Sequence, residues 1–69
     1  MKIGIVGLGL MGGSFALDLK SIYPNSIIYG YDISKSNSLK ALNIGLVDKI
    51  VDFKDLGFVD LVIVSVPVD

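Results

Sequence analysis

Residues 3–6 are apolar apart from Gly4, and glycines follow at once. A strand apolar on both faces is the pattern of a parallel sheet covered on both sides. From residue 10 the spacing lengthens. Met11, Phe15, Leu19 and Ile22 recur at intervals of four, four and three. That spacing predicts a helix over residues 10–22 with those four side chains on its inward face, and Asp18 and Lys20 pointing away. Pro24-Asn25 closes the helix and turns the chain. Residues 27–31 read as a second strand, ending at Asp32. Ser34 or Ser36 can cap a second helix over residues 36–43, with Leu39 and Leu42 facing inward. Gly45 is placed to end that helix in a left-handed conformation. Residues 49–51 form a brief third strand and residues 52–58 a loop or single helical turn. Residues 61–66 form a fourth strand, apolar apart from Ser65, which Pro67 stops.

Strands alternating with helices imply βαβ units, a parallel sheet and right-handed crossovers. The expected fold class is therefore α/β. The expected strand order is 3-2-1-4, which leaves the fourth strand without a neighbour on its outer side. An apolar edge of that kind invites self-association.

Composition narrows the chemistry. The chain has 69 residues, with six lysines, no arginine, seven acidic residues and a net charge of −1. No basic patch appears, so nucleic acid is not an expected partner. Histidine and cysteine are absent, which excludes thiolate metal sites, disulfides and the commonest neutral-pH general base. The apolar runs are far shorter than the ~20 residues of a membrane helix, and the N-terminus is not a signal peptide. No membrane partner is expected, and the cytoplasm is the expected location. The chain is 52% hydrophobic and only 19% charged, so it reads as unusually greasy outside or as part of a larger unit.

The glycines then acquire a purpose. Gly7-Leu8-Gly9-Leu10-Met11-Gly12 fits G-x-G-x-x-G, and it lies between a predicted strand and a predicted helix. Asp32 follows 20 positions after Gly12, at the end of the second strand. Together these make the dinucleotide-binding fingerprint of a Rossmann-type sheet. Gly7 allows the tight turn, Gly9 lets backbone approach a pyrophosphate, and Gly12 lets the helix pack closely. The first-turn N–H groups near Leu10, Met11 and Gly12 point at the phosphates, and the helix dipole favours their charge. Asp32 can accept two hydrogen bonds from the adenosine ribose hydroxyls. It also repels a 2′-phosphate, and the next residue is Ile33 rather than arginine, so NAD is favoured over NADP. Lys35 reads as a solvated charge, or else as a cation near enough to tolerate a phosphate. The competing reading of these residues is a tight turn whose Asp32 merely caps the next helix. Gly30 marks either close ligand approach or packing.

Beyond the fingerprint, four stretches resemble the N-terminal part of the prephenate/arogenate dehydrogenase family. They are IGIVGLGLMGGSFALDLK, IYGYDIS, LKALNIGLVDKIV and DLVIVSVPVD. The resemblance spans the whole chain but only the first portion of a family member. It implies that residues 1–69 are the N-terminal portion of a dinucleotide-binding domain, with the substrate and dimerisation domain absent. It further implies a full-length, homodimeric, NAD(P)-dependent enzyme of tyrosine biosynthesis. The reaction would be oxidative decarboxylation of prephenate to 4-hydroxyphenylpyruvate, with arogenate as the other possible substrate. The family's catalytic histidine and substrate-holding arginine have no counterpart here, so no catalytic residue is expected in this segment. The resemblance also places Ser65, Val66 and Pro67 beside the bound dinucleotide. Met11 departs from the isoleucine of many members, and GLGLMG is also similar to the β-hydroxyacid dehydrogenases. A non-catalytic NAD-binding or sensing module is the remaining alternative.

Overall fold

The computed structural model describes residues 1–65, and of Leu10 and Met11 the backbone alone. In chain order the elements are β1 (Lys2–Val6), α1 (Leu10–Ile22), β2 (Ile27–Tyr31), α2 (Lys35–Asn43), β3 (Lys49–Ile50), a 3₁₀ segment (Phe53–Phe58) and β4 (Leu61–Val64). The four strands form one sheet in the order β3-β2-β1-β4, every pair parallel. This is the predicted α/β arrangement, with β1 and β2 central. The third and fourth strands are shorter than the sequence pattern suggests.

Alternation along the strands divides the core in two. Ile3, Ile5 and Ile28 are fully buried on one face, against Ala16 of α1, Ala41 of α2, Leu8 and Val47. On the other face Val6 and Tyr29 pack with Leu56 of the 3₁₀ segment. Tyr29 also meets Phe58 edge-on, with ring centroids 4.8 Å apart. Burial of these apolar groups is what offsets the ordering of so short a chain.

The helices correct the expected faces. Phe15 is 40% exposed and Ile22 is 66% exposed, while Gly12, Gly13 and Ala16 are buried and Leu19 half-buried. In α2 the buried residues are Ser38 and Ala41, and Leu39 and Leu42 are exposed. Small side chains let both helices sit close to the sheet, so the large apolar residues turn outward. The expected packing of Met11 lies outside the described residues, as do Val66 and Pro67. Lys20 also does not point away. Its ammonium donates to the Ser26 carbonyl and lies 3.4 Å from Asp48 Oδ2.

Aspartates align the strand starts. Asp48 Oδ2 accepts from the Ile28 N–H at 2.8 Å, while the Asp48 N–H donates to the Ile28 carbonyl, also at 2.8 Å. Asp60 repeats the arrangement before β4, accepting from the Lys2 N–H at 2.8 Å and donating to the Lys2 carbonyl at 2.7 Å. Gly45 ends α2 at φ +79°, as its position predicts.

Candidate functional site

The turn from β1 into α1 sits at the C-terminal end of the central strand, where open α/β sheets hold ligands. Gly7 has φ +94°, a conformation that glycine adopts without steric cost. Its N–H donates to the Tyr31 carbonyl at 2.8 Å, the last backbone bond between β1 and β2. Gly12 then returns against the same turn. A Cβ at Gly12 would stand 2.9 Å from the Gly7 carbonyl carbon, with the carbonyl oxygen closer still. That approach requires a residue without a side chain at position 12.

Gly9 differs from both. It is the N-cap of α1, its φ is −72°, and nothing lies within 4 Å of the place a Cβ would occupy. No side chain caps the helix here. The first helical bond runs from the Gly13 N–H to the Gly9 carbonyl at 2.9 Å. The N–H groups of a helix's first turn have no intrahelical acceptor, and the dipole makes this end favourable to an anion. Leu10, Met11 and Gly12 provide that first turn. The position above Gly9 is therefore open beside a helix N-terminus whose first-turn N–H groups have no intrahelical acceptor.

Asp32 lies across the turn, half-buried just beyond β2. Its Oδ2 accepts from the Leu8 N–H at 2.6 Å and is 3.4 Å from the Asn37 side-chain nitrogen. Its Oδ1 accepts from the Ser34 N–H at 2.8 Å. Burial raises the pKa of this carboxyl, but the bonds from Leu8, Ser34 and Asn37 together outweigh burial and hold it below the usual carboxylate value. The group is an anion at neutral pH. It ties the glycine turn to the entry of α2, so it does more than either sequence reading allowed.

Other expected site residues take definite places. Ile33 is 91% exposed immediately after Asp32, the most open of the large apolar side chains described. Ser65 is half-buried, and its N–H donates to the Val6 carbonyl at 2.7 Å, so it emerges beside the glycine turn. Ser34, not Ser36, caps α2, accepting from the Asn37 N–H at 3.2 Å. Gly30 is a packing position. A Cβ there would come within 2.9 Å of Val47 and 3.0 Å of Leu8.

The sequence reading missed Leu8, Ser34 and Asn37 as partners of Asp32. The Asp32-Ile33-Ser34 spacing does carry a signal, since aspartate often accepts from the N–H two residues on. The Leu8 contact depends on how β1 and β2 sit side by side, which no local pattern encodes. Among the described residues no cluster of three or more histidine, cysteine or acidic side chains is placed to hold a metal ion. None of the described helices is long and apolar enough to cross a membrane.

The sequence model of the prephenate dehydrogenase nucleotide-binding domain matches residues 15–69. Prephenate dehydrogenase of Bacillus subtilis is 39% identical over 67 residues, covering 94% of this chain and 18% of that protein. The Lactococcus lactis enzyme is 37% identical over 68 residues, covering 97% and 19%. Among solved structures, Synechocystis arogenate dehydrogenase superposes with a TM-score of 0.85 at 35% identity, covering 97% of this chain and 24% of that one. Prephenate dehydrogenase from A. aeolicus, in complex with hydroxyphenyl propionate and NAD+, gives 0.85 at 37% identity with the same coverage. The chain thus spans about a fifth of the length of the Bacillus subtilis and Lactococcus lactis enzymes. Sequence and fold converge: the chain belongs to the prephenate dehydrogenase nucleotide-binding domain family.

Proposed function

We propose that this chain is the N-terminal portion of the NAD-binding domain of a prephenate dehydrogenase, binding the adenosine diphosphate half of the cofactor at the β1–α1 turn. The observation that carries the reading is the open space above Gly9, set between an uncapped helix N-terminus and the Asp32 carboxylate. In this reading Gly7 and Gly12 shape the cradle, and Gly9, Leu10 and Met11 present backbone to the diphosphate. Asp32 takes a ribose hydroxyl, Ile33 covers the adenine, and Ser65, Val66 and Pro67 border the dinucleotide. When bound, the nicotinamide accepts a hydride. This chain's own residues hold the adenosine diphosphate half at the β1–α1 turn.

The whole protein would catalyse oxidative decarboxylation of prephenate, or of arogenate, within tyrosine biosynthesis. It would act as a cytoplasmic homodimer. The 69 residues alone contain no histidine or arginine and are not expected to turn over substrate. The carboxylate of Asp32 disfavours a 2′-phosphate, so NAD is preferred to NADP. Titration calorimetry with both nucleotides tests this. Asp32→Ala should weaken NAD by about tenfold or more and NADP by a smaller factor. Equal losses would refute the cofactor assignment.

A further inference from the structure

Beyond the end of β2 the backbone no longer supplies acceptors to the glycine turn. The Gly7 N–H still reaches the Tyr31 carbonyl, but the next N–H, that of Leu8, meets the Asp32 carboxylate at 2.6 Å. The Leu8 side chain is 5% exposed and lies against Gly30. One residue is thus fixed twice, its N–H by an anion and its side chain by the core. Gly9, which follows directly, has nothing within 4 Å of the place a Cβ would occupy.

We propose that Asp32 is a positioning residue for the diphosphate-binding turn as well as a ribose contact: Oδ2 locks the Leu8 N–H, and Oδ1 is the oxygen that meets the sugar. The proposal rests on the dinucleotide reading above and deepens it. Oδ2 already accepts from Leu8 at 2.6 Å and faces Asn37, whereas Oδ1 accepts only from the Ser34 N–H among the bonds described. A bond from an N–H to an ionised acceptor is about twice as strong as a neutral one. Losing it frees the φ and ψ of Gly7, Leu8 and Gly9, and the anion-binding N–H groups are then no longer held in advance.

Electrostatics makes the test one of sign. A carboxylate repels a diphosphate, so a residue serving only the sugar would, once removed, leave unchanged or strengthen binding of a nucleotide lacking ribose hydroxyls. A residue that holds the turn would weaken it. ADP and 2′,3′-dideoxy-ADP are titrated into the full-length protein by calorimetry, as wild type, Asp32→Asn and Asp32→Ala, with folding checked by circular dichroism. The expected result is that Asp32→Ala weakens dideoxy-ADP by about tenfold and ADP by more, with Asp32→Asn, which keeps an acceptor oxygen, between. Unchanged or tighter dideoxy-ADP binding would overturn the proposal.

Amide hydrogen exchange of Leu8 in the ligand-free protein gives a second reading that needs no nucleotide. The rate should rise about tenfold in Asp32→Ala relative to distant strand amides. A wild type that binds neither nucleotide overturns the dinucleotide reading. Leu8 exchange then decides the lock by itself, faster exchange supporting it and an unchanged rate overturning it.

Discussion

Gly9 and Gly12 look equivalent in the motif, yet their surroundings make opposite demands. A methyl group at Gly12 must displace the Gly7 carbonyl, whereas one at Gly9 meets open space. Gly12→Ala should therefore destabilise by about 1–3 kcal/mol through overpacking, only partly offset by the better helix propensity of alanine. Thermal unfolding should show a midpoint lower by several degrees. Gly9→Ala should cost about 0.5–1 kcal/mol, as an alanine N-cap does relative to glycine. Its effect should fall instead on NAD affinity, by about tenfold, because a Cβ enters the space proposed for the diphosphate. Asp32 adds a dependence on pH. Its folded pKa lies below the unfolded value of 3.8, so its contribution to stability is complete above that pH and is lost as pH falls through the folded value. The stability gap between wild type and Asp32→Asn, followed by denaturant melts from about pH 6 to pH 3, should narrow towards acid.

At the level of elements, Asp48 serves two partners of unequal worth. Its ion pair with Lys20 joins side chains 43% and 44% exposed at 3.4 Å, a geometry worth well under about 1 kcal/mol. Its bond from the backbone N–H of buried Ile28, on the inner strand β2, is shorter. Asp48→Ala should therefore cost about 1 kcal/mol more than Lys20→Met, and a double-mutant cycle should find little coupling between them. The helices show how far the sequence could be read. The existence, order and type of α1 and α2 followed from apolar spacing and from the Ser34 and Gly45 signals. Their buried faces did not. Hydrophobic periodicity follows large side chains such as Phe15, Ile22, Leu39 and Leu42, while close contact with the sheet selects Gly12, Gly13, Ala16, Ser38 and Ala41. The site divides in the same way. The glycines and Asp32 form a local motif, but the tie from Leu8 to Asp32 links residues 24 apart and exists only once β1 and β2 are paired.

Across the whole molecule, two apolar cores sandwich a sheet whose β4 edge carries exposed Val62 and Val64. Only β1 pairs with β4 among the described strands. The 69-residue chain should self-associate through that edge, and Val64→Lys should shift light scattering towards the monomer. A wild-type chain that stays monomeric at high concentration would contradict this. The carboxylates at the opposite end of the sheet act on alignment. In a parallel sheet, sliding one strand by two residues returns every side chain to its own face and rebuilds most of the ladder. Repetitive pairing therefore distinguishes poorly between the native match and its nearest impostor. Asp48 and Asp60 each accept from a backbone amide at or near the beginning of the adjoining strand, and a slide that carries Asp60 back past Lys2 leaves its carboxylate without a strand amide. A short acidic side chain thereby acts as an end stop, opposing slides in one direction that burial alone would accept.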